Sequence, residues 1–160
     1  MSLATAIKSG DTVFVGTDSL SRNGDIISVV REGHAKAWKL NDAGVVFAHS
    51  GITVNKNIIS TADRIIDTDF VEKTIQLKDV VNNIVPKMMT LLESKGQLKT
   101  EYGCKSMQSD FILAHKDKLF TICGNGCVME PSDDYASIGC GEDIADGAFQ
   151  VINRTDSRPR

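Results

Sequence analysis

Proline is scarce in this sequence, three in 160 residues, and its thirteen glycines follow no period. Collagen-like and low-complexity chains are therefore excluded. No apolar run approaches the roughly 18–20 residues that a bilayer-spanning helix needs. Basic blocks are missing as well. The 18 Lys and Arg against 21 Asp and Glu leave a net charge of −3, which gives nucleic acid or an anionic membrane little to attract it. Four cysteines, Cys104, Cys123, Cys127 and Cys140, are too few for a disulfide scaffold. The start, Met1-Ser2-Leu3-Ala4-Thr5, has no cationic stretch leading into an apolar core, so no secretory leader is expected. Reduced thiols and a cytoplasmic location are the simpler reading.

What is present is ordinary globular composition, 41% hydrophobic and 24% charged, at a length that suits one domain over 1–160. Ala4–Lys8 and Thr12–Thr17 flank Ser9-Gly10-Asp11 and read as a hairpin. Residues 21–25 read as a polar turn. Between His34 and Leu40 a second ribbon is expected, with His34, Lys36, Trp38 and Leu40 sharing one face by period two. A turn at 41–44 then leads into a short buried strand, Val45–Ala48. After Gly51 the period becomes helical. One amphipathic helix is expected over 52–67 and a second over 77–95, kinked or broken at Pro86 and stopped by Gly96. A polar connection covers 97–107. Strands return at Asp110–His115, Leu119–Cys123, Cys127–Met129 and Tyr135–Cys140. A last helix is expected to bury Ile144, Ala148, Val151 and Ile152, before a frayed tail over 156–160. Strands at both ends with paired helices between them point to a layered α+β domain.

Most chemical signatures are missing: no phosphate-binding loop, no His-Glu-x-x-His, no Gly-x-Ser-x-Gly. The histidines, His34, His49 and His115, lack ligand spacing and read as strand residues with satisfied nitrogens. Cys123-Gly-Asn-Gly-Cys127 falls within zinc-ligand spacing, but Gly124-Asn125-Gly126 between apolar strands reads better as hairpin chemistry. No metal and no cofactor are expected. Cys140 between two glycines before a helix could be an activated thiol or simply a small residue at a tight turn, and the second is preferred.

Several segments resemble one family in order and spacing. Val13-Phe14-Val15-Gly16-Thr17-Asp18-Ser19 is similar to the Gly-x-Asp ribbon of proteasome β-type subunits and the bacterial HslV protease. Lys36-Ala37-Trp38-Lys39-Leu40-Asn41-Asp42 is similar to the ribbon that carries the family's catalytic lysine. Phe47-Ala48-His49-Ser50-Gly51 resembles the loop into the first helix. The stretch from Gly124 through Pro131 and Ile138-Gly139-Cys140-Gly141 to Ala148 resembles HslV throughout. The resemblance implies an N-terminal-nucleophile hydrolase: a four-layer α-β-β-α sandwich of two antiparallel sheets flanked by helices, here with a shortened C-terminal part. It implies a threonine- or serine-type peptidase in which the α-amine of the first residue serves as the base for its own hydroxyl.

Carried across, Lys36 matches the lysine and Asp18 its carboxylate, and the N–H groups around Ser50 and Gly51 match the oxyanion donors. Cys140 stands where the family has a small hydroxyl residue near the nucleophile. For the nucleophile two candidates stay open. Ser2 lies sixteen residues before Asp18 and needs removal of Met1, whereas Thr5 needs a shorter hairpin and cleavage after Ala4. The resemblance also implies self-association into rings, a protein or peptide substrate and an ATP-dependent unfoldase partner, with no role for nucleic acid or a membrane. The alternatives are a catalytically inactive scaffold of the same fold and a small-amide hydrolase.

Overall fold

A computed structural model describes residues 2–23, 26–29, 35–40, 44–62, 65–101 and 103–156. The chain starts with a hairpin, β1 (Leu3–Ser9) and β2 (Thr12–Thr17). A smaller hairpin follows, β3 (Leu20–Asn23) with β4 (Ile26–Val29). The polar stretch expected as a turn over 21–25 is thus strand up to Asn23, and the turn itself falls outside the described residues. After β5 (Ala37–Leu40) and β6 (Val45–Gly51) come helix α1 (Thr53–Ser60), a 3₁₀ turn (Thr68–Val71) and a helical run over 77–94. That run contains α2 (Leu77–Asp79), a π-helical stretch (Val80–Ile84) and α3 (Val85–Ser94). The remaining elements are β7 (Lys99–Glu101), β8 (Cys104–Ser106), β9 (Ser109–His115), β10 (Lys118–Ile122), β11 (Val128–Met129), β12 (Tyr135–Gly139) and α4 (Glu142–Asp156).

Two antiparallel sheets are stacked. One has the order β12-β1-β2, the other β11-β10-β9-β6-β5. Alternation decides what each face buries. Ala4, Ala6, Ala136 and Ile138 of the first sheet meet Ala48, Ile112 and Leu119 of the second. The opposite face of the second sheet carries Phe47, Phe111, Leu113 and Phe120 into a larger core with Ile59, Ile84, Met88 and Leu92 of the helices. Helix α4 covers β12 and β1 from outside, with the Phe149 ring 5.0 Å from that of Tyr135. The layers are therefore α-β-β-α, the architecture that the resemblance implies.

Several local expectations need correction. Helix α1 ends at Ser60 rather than near 67. Ile65 and Ile66 are buried beyond it as turn residues. At Pro86 the run is interrupted in register rather than ended, with the proline in the first turn of α3. The π-helical register directly before it widens the turn where a proline lacks its N–H and crowds the preceding carbonyl. At the far end the Gly96 N–H bonds to the Glu93 carbonyl and the Gln97 N–H to the Leu92 carbonyl, so the helix stops where expected. The polar connection over 97–107 contains the β7–β8 hairpin. Cys123 to Cys127 closes as a turn, with the Cys123 N–H donating to the Cys127 carbonyl at 2.8 Å.

In α4 the expected face is turned outward. Ile144 is 81% and Val151 63% exposed, because the helix seats Phe149 on Tyr135 instead. The polar tail expected over 156–160 begins at the last residue of this helix, and 157–160 lie outside the described residues.

Alanines at the inter-sheet contact let the two sheets approach closely. Ala48 is fully buried there, so Ala48→Leu is expected to destabilise the fold by about 1–3 kcal/mol through overpacking, measured as a lower denaturant midpoint.

Candidate active site

Five strand ends converge at one end of the sandwich. These are the start of β1, the end of β2, the start of β5, the end of β6 and the end of β12. Ser2 precedes β1, and its hydroxyl accepts a hydrogen bond from Lys36 Nζ at 3.0 Å. The same ammonium donates to Asp18 Oδ1 at 2.8 Å and Oδ2 at 2.9 Å. Asp18 is fixed in turn by backbone. Oδ1 accepts from the Leu3 N–H at 2.8 Å, and Oδ2 from the Leu20 N–H at 3.1 Å. The Asp18 N–H donates back to the Leu3 carbonyl at 3.0 Å, continuing the β1–β2 ladder by one step. Partial burial works to raise the Asp18 carboxyl. The Lys36 hydrogen bond, the two backbone N–H groups and the Lys36 charge outweigh it, and the group lies below the ordinary carboxylate range.

Lys36 does not share a face with Trp38, contrary to simple alternation. It sits in a bend before β5. Its carbonyl is held by the His49 N–H at 3.0 Å, while its ammonium reaches the first sheet. Trp38 points to the helices, stacked on Phe47 with centroids 5.7 Å apart. His34 lies outside the described residues.

Ser50 and Gly51 belong to strand β6 rather than to a loop, paired with Asp110 and Ser109 of β9. The ladder distinguishes their N–H groups. The His49 N–H is spent on the β5 side, so period two aims the Gly51 N–H the same way, beyond the end of β5. The Ser50 N–H faces β9 instead. Ile52 donates to Ser109 Oγ at 3.0 Å and is likewise occupied. Of the backbone donors expected here, Gly51 is the one aimed at the Lys36 side.

Gly139 closes the site. Its φ is +99°, and a Cβ placed there would lie 2.3 Å from the Ser2 carbonyl oxygen and 2.5 Å from Ser50 Oγ. Cys140 follows in the exposed turn into α4, next to this contact. Thr5 is elsewhere. It pairs with Gly16 and Ser137 in the middle of the first sheet, on the face opposite the inward Ala4 and Ala6. The strand period turns it away from Lys36, so of the two nucleophile candidates the geometry brings only Ser2 to the ammonium. A cleft of about 900 Å³, lined by Asp67, Phe70, Lys73 and Lys87 among others, shares no residue with this end.

One neighbouring group was not singled out as functional. His49 is 3% exposed, its ring 5.2 Å from that of Phe111. The imidazole has a backbone hydrogen bond with Ile52, while its Nε2 has no hydrogen-bond partner among the described residues. His115 is held in a similar way, accepting the Ile75 N–H at Nδ1, 3.1 Å away. Burial first, then the charges of Lys36 and Lys56, push the His49 imidazole down to about 4. Strand position and residue type carried no signal for this, since the burial and the approach of the two cations are set by tertiary packing.

No family model matches the chain. The ATP-dependent protease subunit HslV of Cytophaga hutchinsonii is 26% identical over 149 residues, 93% of this chain and 74% of that protein. Among solved structures, Thiobacillus denitrificans BPH superposes with a TM-score of 0.74 at 21% identity, covering 97% of this chain and 81% of its own. HslV from Trypanosoma brucei gives 0.68 at 20% identity, with 98% and 82% covered. These structural likenesses establish the N-terminal-nucleophile hydrolase fold.

Two outcomes follow from the geometry. Gly139→Ala is expected to displace Ser2 from Lys36 and lower stability by about 1–3 kcal/mol, checked by thermal unfolding and by loss of the Lys36–Ser2 contact in a crystal structure. His49 stays neutral in the fold down to about pH 4 but takes up a proton near 6.5 once unfolded. Unfolding therefore binds a proton below pH 6.5, and stability falls from 6.5 towards 4 by up to about 3 kcal/mol. His49→Gln should remove that part of the pH dependence and leave stability above pH 7 without it.

Proposed function

We propose that this HslV-like chain, built on the N-terminal-nucleophile hydrolase fold, is a peptidase subunit whose nucleophile is Ser2, freed by cleavage of the Met1–Ser2 bond. The observation that carries the reading is the Lys36 ammonium, 3.0 Å from Ser2 Oγ and clamped by both oxygens of Asp18. A serine hydroxyl is a weak nucleophile unless a base takes its proton. The freed α-amine of Ser2 is that base, since such amines titrate near 7.7–8.0. The nearby ammonium disfavours a second positive charge and keeps the amine unprotonated at neutral pH. It also donates to Oγ and so stabilises the developing alkoxide.

Ser2 Oγ then bonds to the carbonyl carbon of the scissile amide, and its proton passes to the α-amine. The charge that develops on the carbonyl oxygen meets the Gly51 N–H, supported by the ammonium field. Collapse breaks the C–N bond, and the leaving amine takes the proton. Water, deprotonated by the same α-amine, next attacks the resulting ester and regenerates Ser2. Asp18 holds Lys36 in place and touches no substrate. Cys140, beside the Gly139 contact, lines the approach to the ester.

The C. hutchinsonii relative is an ATP-dependent protease subunit. On that likeness we read the present chain as one that self-associates and receives protein substrates from an ATP-dependent partner. Size-exclusion chromatography should give a multiple of the 17.4 kDa chain mass. A monomer cleaving only small amides would favour a small-amide hydrolase instead.

Intact-mass analysis of purified native protein is the direct test. A free Ser2 terminus is expected, and epoxomicin, which T. denitrificans BPH binds, should add its mass to the peptide beginning at Ser2. Retention of Met1 and no adduct would favour the inactive scaffold. Lys36→Ala is expected to lower peptide turnover by at least about 100-fold while leaving the oligomer intact. Unchanged turnover would refute the role given to the lysine.

A further inference from the structure

The donor assigned to the oxyanion is one N–H at the last residue of a strand, a place where backbone usually frays. Three ties hold it, and all end on residues 107–109. Gly51 pairs with Ser109 so closely that a Cβ on Gly51 would lie 2.7 Å from both Ser109 Cα and Oγ. Ser109 Oγ, 3% exposed, accepts the Ile52 N–H at 3.0 Å. The same oxygen accepts from Asn55 Nδ2 at 3.1 Å, and Asn55, fully buried in the first turn of α1, also donates to the Met107 carbonyl. Buried polar side chains are costly unless hydrogen-bonded; Ser109 Oγ and Asn55 Nδ2 are bonded, while Asn55 Oδ1 has no partner among the described residues. Here they fasten both sides of one peptide unit, with the Ser50–Asp110 pair in front and Ile52 behind.

We propose that Ser109 and Asn55 are positioning residues that hold the Gly51 N–H at the carbonyl oxygen of the substrate. The proposal builds on the reading of Ser2 as nucleophile and adds two residues that touch neither substrate nor Lys36. Ser109 is the post and Asn55 the brace that orients it. Because both act through one oxygen, their effects are not independent. A donor displaced by a fraction of an ångström weakens its bond to the transition state more than binding of the ground state.

The test compares wild type, Ser109→Ala, Asn55→Ala and the double variant as full chains, in two measurements. In peptide hydrolysis, each single variant is expected to lower kcat about 10- to 100-fold with KM within about twofold. The double variant should lose no more than about threefold beyond the worse single one. In amide hydrogen exchange, Gly51 and Ile52 should exchange at least about tenfold faster in Ser109→Ala, while the Leu3 amide, held by Asp18, keeps its rate. A merely structural role predicts raised KM, general loosening that includes Leu3, or wild-type kcat per folded molecule, and any of these overturns the proposal. If the wild type hydrolyses no peptide, the functional reading fails by itself. Local or absent acceleration at Gly51 and Ile52 then still decides whether Ser109 holds this turn.

Discussion

One ammonium, pinned by a carboxylate and placed against a hydroxyl, organises this molecule's candidate chemistry. Lys36 enters from the second sheet, Asp18 and Ser2 from the first. The contact therefore exists only while the two sheets are stacked in register. The closeness of that stacking comes from small side chains, Ala4, Ala6, Ala48 and Ala136. A larger residue at any of them would move the ion pair as a lever moves its end. Packing and the site are coupled through a few methyl groups.

The ion pair is only partly shielded, with Lys36 and Asp18 side chains 13% and 26% exposed. Its value lies less in stability than in geometry and field, since exposed pairs contribute little net energy. Asp18 satisfies its oxygens with two backbone N–H groups as well as the ammonium, so it has no freedom to rotate. On the opposite face of the second sheet lies His49, a buried imidazole held neutral by burial and by Lys36 and Lys56. Burial is the larger cause, and the two cations add to it by disfavouring a further positive charge. The same electrostatic logic suits a terminal amine that must stay unprotonated to accept a proton.

Much of the architecture was legible because it depends on local periods. The β1–β2 hairpin follows from two alternating runs around Ser9-Gly10-Asp11, and the helical run over 77–94 from apolar spacing with a glycine stop. Its passage through Pro86 was not legible, because a π-helical turn is a non-local compromise between the core and the missing donor. Alternation also failed at Lys36, where a bend turns the side chain to the other sheet. In α4 the pattern offered an aliphatic face, whereas contact with Tyr135 on the sheet selected Phe149. The residues of the candidate site could be named from order and spacing. The choice between Ser2 and Thr5 could not, since they stand three residues apart at the start of the chain and only the position of Lys36 tells them apart.

The linear chain by itself determined its elements, its composition class and the set of groups able to carry chemistry, because propensity, alternation and spacing act over a few residues. Only the tertiary structure decided which of those groups meet. Ser2 touches Lys36 while Thr5 lies on the other face of β1, the Gly51 N–H rather than that of Ser50 is aimed towards the site, and Ser109 bonds to Ile52 and Asn55 beside it. Such juxtapositions depend on how two sheets stack and where a strand ends. Those are set by the sum of many buried contacts, and no short stretch of sequence contains that sum.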